Sequence, residues 1–403
     1  MIQLIAVFIP VFLLAVAIEW YFSNKRGDNR YTTGNTLMNI AIGAVDQVGG
    51  IAYMFLLYLV MDYVYDHFRF FTQNDSWYQW IIGYIAIDFL SYWYHRFSHR
   101  VNILWAGHIT HHSSELYNLS NSFRTSLFQG FNRIVFWAFL PLFGFDPIIM
   151  IVIFKISGVY EFFLHTEYIP KLGFLEKIFI TPSAHRVHHG KNDIYIDKNY
   201  GSNLVIWDKI FGTYQEETEK VIYGVKATYI DQDPLNAIGF HYFYLLRAIK
   251  GTQNFRDKIK FIFMPPEWRS VSEDTIIETK KAGFVELNIK WKKYTNFQFI
   301  FGCIGFVLTL AFQYYLSAWD LALCFGVFLF SIIESAKIRN GSEEIANDKN
   351  YILRYWIVFL PVLFSVIFYK ESFLMPLLWY QLIVLVYTAV ISARVRSNEI
   401  KWR

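Results

Sequence analysis

"HRFSHRVNILWAGHITHH", residues 95–112, places five of the chain's eleven histidines directly after a long apolar run. Residues three and four apart share one face of a helix and can converge on a single point. His95 and His99 are an i, i+4 pair, and His108, His111 and His112 form an i, i+3, i+4 triple. "AHRVHHG" repeats the triple with His185, His188 and His189. Thr181-Pro182 before it and Gly190 after it are a helix start and a helix stop, so a short helix is predicted to present those three rings.

The surroundings of these boxes decide the fold class. The chain has 403 residues, is 55% hydrophobic and 20% aromatic, and carries only 17% charged residues, more apolar than a soluble globule of this size. An all-α, polytopic membrane protein follows. A helix of roughly 20 apolar residues crosses the hydrocarbon core while satisfying its own backbone. By that test about nine spans are expected, near 3–21, 38–61, 77–94, 131–144, 147–164, 297–316, 319–335, 352–369 and 373–393. The first begins apolar, with no preceding basic residue and no small-residue cleavage site, and is expected to be retained. The fourth and fifth are short and meet at the "GFDP" turn, the signature of a hairpin that enters and returns.

Basic residues in short loops set the orientation. Lys25, Arg26 and Arg30 follow the first span, Arg96 and Arg100 the third, Arg124 and Arg133 precede the fourth, Lys337 and Arg339 follow the seventh, and Arg394, Arg396, Lys401 and Arg403 the ninth. These loops belong on the cytoplasmic side, with the amino terminus outside and the carboxyl terminus inside. Four units are expected: amino-terminal spans (1–76), a histidine-box catalytic unit (77–215), a cytoplasmic helical cap and linker (216–296) and a carboxyl-terminal four-span region (297–403). The polar stretch 165–296 lies on the cytoplasmic side with the boxes; "MPPEWRS" and "ETKKAG" within it have loop chemistry. The net charge of +4 is small and the cations sit beside apolar spans, which argues for anionic lipid and against nucleic acid as a partner. Two isolated cysteines, Cys303 and Cys324, exclude a disulfide framework and a CxxC site.

Neutral imidazole is a good ligand for iron, zinc, copper and nickel. Eight imidazoles are too many for one first-row ion, so a pair of ions is expected. A single histidine is usually a core or surface residue, and His67 and His241, without helical histidine partners, are read as structural. His165, at the end of the fifth span on the same side, is a further candidate ligand. Ligating histidines commonly hand their second N–H to a carboxylate or carbonyl. Asp88, two helical turns before His95, and Glu161, four residues before His165, are candidates for that outer role, since acids within spans are costly. Asp208 in "WDKIFGTY" is a third, with closure of the cap as its alternative reading. Tyr117, Asn118, Arg124 and Arg186 are candidates to hold a lipid head group, though positive-inside anchoring accounts for such arginines equally well. A redox pair held by neutral histidines at a membrane face suits oxygen-dependent attack on a lipid C–H bond. Zinc hydrolysis fits less well, because no HExxH stretch supplies a paired base.

At "HRFSH", "HITHH" and "HRVHH" the chain resembles the fatty acid hydroxylase and sterol desaturase superfamily of membrane di-iron enzymes, whose boxes read HxxxH, HxxHH and HxxHH. "WAGHITHHSSELYNLS", "TPSAHRVHHGKN", "DKNYG" and "WDKIFGTY" are similar to one branch, the alkylglycerol monooxygenases. The resemblance implies His95, His99, His108, His111, His112, His185, His188 and His189 as iron ligands. It also implies oxidation of the carbon next to a glyceryl ether oxygen with molecular oxygen and tetrahydrobiopterin. Where that branch carries a glutamate after the second histidine of the first box, this chain has Arg100, a departure that bears on the pterin and the ether but not on the metals. No glycine-rich dinucleotide fingerprint follows a strand, so electrons come from the pterin, another external donor or a redox partner. Two other readings stand beside this one. A fatty-acid, sterol or carotenoid hydroxylase or desaturase would use the same metals; a histidine-based metal transporter or sensor would place its ligands near mid-membrane.

Overall fold

In the computed structural model, residues 2–71, 77–226, 233–268, 287, 289–341, 379 and 386 are described. The expected eighth and ninth spans, the basic residues after them and the "ETKKAG" linker lie outside the described residues, apart from the two isolated positions 379 and 386. Among the described residues the fold is helical, with only two isolated β-bridges, Phe179 to Leu204 and Gly190 to Tyr223. Twelve α-helices run in order: α1 (Ile2–Arg26), α2 (Thr33–Phe68), α3 (Trp77–Arg100), α4 (Asn102–His112), α5 (Leu127–Trp137), α6 (Pro147–Phe163), α7 (Pro182–His188), α8 (Ile206–Ile210), α9 (Pro234–Gly251), α10 (Phe255–Phe263), α11 (Ile289–Phe312) and α12 (Ala318–Arg339).

Three of these are long and apolar enough to cross a membrane: Thr33–Phe68, Trp291–Tyr315 and Ala318–Arg339. The 36 residues of α2 rise about 54 Å, well beyond a hydrocarbon core of about 30 Å. Its 11 residues make α5 only about 16 Å long, too short to cross alone. It runs into a 3-10 turn (Leu140–Phe143) and, at the "GFDP" signal, into left-handed Gly144 (φ 82°). Asp146 then caps α6 by accepting from the N–H groups of Ile148 and Ile149, with Pro147 in the first turn.

The long helix α2 forms the axis. On one side Leu37, Ala41 and Ala44 pack with Phe306, Phe328 and Ile332 of α11 and α12. On the other, Met54, Leu57 and Met61 meet Ile87 of α3, Trp137 of α5 and Met150 of α6. Between apolar helices in lipid, close van der Waals fit replaces the hydrophobic drive. The α11–α12 contact shows such a fit, because a Cβ on Gly305 would lie 2.0 Å from the Phe328 ring. Whereas the described part of the expected cap beyond it carries α9 and α10, the stretch 165–226 is mostly irregular loop apart from α7, α8 and one 3-10 turn. Its backbone polar groups are spent on side chains that fix the site.

Candidate metal centre

α3 ends at Arg100 and α4 restarts at Asn102, so the first two boxes sit on adjoining helix ends. The third is on α7, which starts where its sequence signal placed it: Thr181 Oγ1 accepts from Ala184 N, Pro182 is in the first turn, and His189 is the carboxyl cap. The three boxes gather into two adjoining groups. His95, His99, His108, His112 and His188 form one; His111, His165, His185 and His189 form the other; within each group the ligand nitrogens lie within 4.8 Å of one another. His112 and His189 stack across the junction at 4.4 Å between ring centroids.

Separations between Nε2 atoms test whether these residues fit metal ions. His95 to His108 is 2.9 Å, His112 to His108 3.1 Å and His188 to His112 3.1 Å in the first group. In the second, His165 to His111 is 3.2 Å, His185 to His165 3.1 Å and His189 to His185 3.2 Å. Nitrogens bound about 2.1 Å from one ion at right angles are about 3 Å apart, so these rings already stand as neighbours in a ligand shell. The outward Nδ1 atoms agree. Nδ1 of His95 meets the Tyr200 carbonyl, that of His188 the Lys198 carbonyl and that of His165 the Glu161 carbonyl, each at 2.9 Å. An Nδ1–H donated to a carbonyl leaves the Nε2 lone pair free for a metal. Nε2 of His99 is buried without a protein partner. Burial pushes His108, His111, His112, His185, His188 and His189 well below the usual imidazole range, and His165 down to about 4. Nine neutral rings at these spacings suit two metal ions.

The carboxylates act differently from the sequence expectation. Asp88 is fully buried and touches no histidine; it accepts from the N–H groups of Asn203 and Leu204 (2.9 and 3.2 Å) and from Trp207 Nε1 (2.8 Å). Asp208 accepts from the N–H groups of Tyr200 and Gly201, both at 2.8 Å, and from the Thr213 hydroxyl at 2.7 Å. Both acids clamp the 200–208 loop, whose Tyr200 carbonyl steadies His95. Glu161 reaches His165 through its backbone carbonyl, while its carboxylate faces Ser202 and Arg133. Spacing along a helix identified the right helix face but not which atom is used, because a partner loop intervenes.

The four head-group candidates have other partners within the protein. Arg124 donates to the Thr110 carbonyl, Asn39 and Ser113; Arg186 makes a two-bond pair with Glu217 (3.0 and 2.7 Å) and donates to the carbonyls of Thr166 and Ile169. Asn118 caps the 3-10 turn Leu119–Phe123, and Tyr117 stacks on Tyr223 at 4.7 Å while donating to the Leu164 carbonyl. These residues brace the boxes. His67 is exposed at the end of α2, stacked on Tyr63, and His241 pairs with Asn102 Oδ1 at 2.7 Å, in line with structural roles.

Sequence reasoning missed Asp197. In left-handed backbone (φ 58°), it stands 3.7 Å from His99 Nδ1 and 2.6 Å from Arg100. Burial works against its charge, yet His99 and Arg100 hold its carboxyl well below the usual range. Arg100 thus points to Asp197 and Glu267, and the carboxylate beside the first box comes from another loop. Its signal was the "DKNYG" stretch, whose first residue it is.

A cavity of about 370 Å³ opens onto His95, His108, His111, His165 and His185 and extends between α1, α2, α6 and α11 along mainly apolar walls.

Comparisons with known proteins agree with this geometry. Residues 80–213 match the fatty acid hydroxylase family model. The chain is similar to alkylglycerol monooxygenase of Homo sapiens, 38% identical over 65% of this chain and 58% of that protein, and of Danio rerio, 35% identical over the same shares. It is also similar to an ornithine lipid hydroxylase of Rhizobium tropici, 31% identical over 35% of this chain and 44% of that protein. The chain spans less than two thirds of the length of these relatives. No solved structure matches it. Residues 80–213, which match the fatty acid hydroxylase family model, are also the segment that carries all nine histidines of the two groups.

Proposed function

We propose that this chain is a membrane-bound di-iron monooxygenase that hydroxylates a lipid C–H bond with molecular oxygen, at the carbon next to a glyceryl ether oxygen. One observation carries the reading: two adjoining histidine groups open together into a mainly apolar cavity. The names of the similar proteins support a lipid hydroxylation, and that of the human relative supports the alkylglycerol. One oxygen atom enters the C–H bond and the other leaves as water, with two electrons and two protons from tetrahydrobiopterin or another donor. The resulting hemiacetal then separates into aldehyde and glycerol.

His95, His99, His108, His112 and His188 would hold one iron, and His111, His165, His185 and His189 the other. Iron supplies the activation of oxygen. The protein's part is positional. Carbonyls of Tyr200, Lys198 and Glu161 fix the ring tautomers, Asp88 and Asp208 hold the loop carrying Tyr200, and the apolar walls keep bulk water from the reacting carbon.

We also propose the topology of nine apolar segments, the fourth and fifth forming a hairpin that enters and returns on one side, with the boxes and the 165–296 region on the cytoplasmic side, and the four units 1–76, 77–215, 216–296 and 297–403. The outward faces support it: α3, too polar to qualify by hydropathy alone, exposes Trp77, Ile81, Ile82 and Ile85 while burying Asp88 and Ser91. Such a helix faces lipid on one side and the site on the other.

The test is metal analysis and product identification on the purified full-length chain. Two irons per chain and aldehyde release from 1-O-alkylglycerol, with label from ¹⁸O₂ in the products, are expected. Turnover confined to ether-free lipids would favour the fatty-acid, sterol or carotenoid enzyme. Exchangeable zinc with no oxygen uptake would favour the transporter or sensor.

A further inference from the structure

The cavity is not uniformly apolar. Beside the histidines its wall carries Asp46 of α2, Gln129 and Arg133 of α5, and Lys155 and Glu161 of α6. Asp46, Gln129 and the neighbouring Trp137 are 8%, 5% and 2% exposed. Their Oδ1, Oε1 and Nε1 atoms, together with Arg133 Nε, are buried without a hydrogen-bond partner in the protein. The Arg133 guanidinium sits 5.3 Å from the ring centres of both Tyr94 and Phe154. Leaving such groups bare costs about 1–3 kcal/mol each, so four on one cavity wall point to a ligand that completes them.

Their chemistry describes that ligand. Two are acceptors, Asp46 Oδ1 and Gln129 Oε1, and two are donors, Trp137 Nε1 and Arg133 Nε. A hydroxyl group both donates and accepts, and two vicinal hydroxyls could engage both kinds. Formal charge on the wall balances, Asp46 and Glu161 against Lys155 and Arg133. An anionic head group would therefore bring an uncompensated charge into a poorly solvated space. The residues that α1 and α11 contribute to the lining, among them Phe8, Ile9, Phe12, Phe306 and Val307, are apolar.

We propose that Asp46, Gln129, Arg133 and Trp137 form a head-group subsite that binds the hydroxyls of an uncharged diol-bearing amphiphile, with its alkyl chain threaded between α1 and α11. Resting on the monooxygenase reading, it adds a consequence for position. Glu161, which also lines the cavity, meets His165 Nδ1 through its backbone carbonyl at 2.9 Å, so the polar part of the lining adjoins the second histidine group. The bond presented to the metals is then the one joining head and tail, and not one far along the chain.

Equilibrium binding to the full-length chain in detergent, with and without iron, separates this from the activity itself. The probes are labelled 1-O-hexadecylglycerol and its di-O-methyl derivative, which lacks both hydroxyls, with hexadecyl phosphate as competitor. Wild type is expected to prefer the diol by at least about 10-fold, the worth of one or two net hydrogen bonds. Gln129→Leu and Asp46→Leu should remove most of that preference, and Gln129→Glu, which keeps an acceptor, should restore it. Helical content and two irons per chain confirm that each variant is folded. Equal binding of both ethers by wild type, unchanged preference in the variants, or stronger binding of the phosphate would overturn the subsite. Diol preference without turnover would keep the subsite and sink the monooxygenase; aldehyde release without diol preference would do the reverse.

Discussion

Asp208 lies outside both histidine groups, yet its removal should weaken metal binding. Each of its carboxylate oxygens accepts from a backbone N–H at 2.8 Å, Oδ1 from Tyr200 and Oδ2 from Gly201, and Oδ1 also takes the Thr213 hydroxyl. In Asp208→Asn, either amide rotamer sets an N–H against one of those backbone donors. One charge-assisted bond is lost and a buried donor is left facing another, so the variant should be about 2–4 kcal/mol less stable. The Tyr200 carbonyl, 2.9 Å from His95 Nδ1, moves with the loop, and loss of such outer support typically lowers metal affinity about 10–100-fold. The assay is competition for iron against a chelator of known affinity, alongside the thermal midpoint. A merely structural role would lower the midpoint and leave metal affinity in the folded protein unchanged. That result would refute the idea that Asp208 acts through Tyr200 on the metal.

Other expected outcomes follow from the same contacts. His188→Ala should cost one ion and His111→Ala the other, each abolishing turnover, whereas His67→Ala should change neither metal content nor activity; metal analysis of the three variants decides it. Glu217→Gln should destabilise the protein by about 3–5 kcal/mol, because Arg186, only 6% exposed, would keep its charge with its partner neutralised. Burial opposes the Glu217 charge, but Arg186 and Ser183 hold its carboxyl below the usual range. Its stabilising share is therefore full above the unfolded-state value and is lost as pH falls through the folded one. Wild type should lose stability on acidification below about pH 4.5 more steeply than Glu217→Gln, a comparison made by denaturant unfolding across pH. Gly305→Val should push the Phe328 ring out of the α11–α12 contact and lower stability by about 1–3 kcal/mol, measured by the thermal midpoint in detergent.

The identity of the eight box histidines and the helix carrying the third box were legible because each depends on local spacing: i, i+3, i+4 geometry and a Thr-Pro start are properties of a few consecutive residues. His165 was legible only as a candidate, since its claim rested on being carried to the same membrane face. Which five rings form one group and which four the other was beyond local reading. His111 and His112 are consecutive yet fall into different groups, because neighbouring residues on a helix point about 100° apart and the partners that complete each group arrive on α3, α6 and α7.

Long-range contacts decided the rest. Asp88, Glu161 and Asp208 carry the right chemistry in the right neighbourhood, but whether a carboxylate meets an imidazole or a loop N–H depends on how the 197–208 segment folds back over α3. The same segment brings Asp197 to Arg100, giving the first box an acidic neighbour from about a hundred residues away. Arg124 and Arg186 looked like ligand binders because an arginine near a metal site in sequence is indistinguishable from one that braces it. Composition and spacing by themselves pointed to a membrane protein with histidine clusters suited to metal. Only the packing of α1, α2, α6 and α11 around those clusters, which no periodicity encodes, created the cavity and set polar side chains with unpartnered atoms along it.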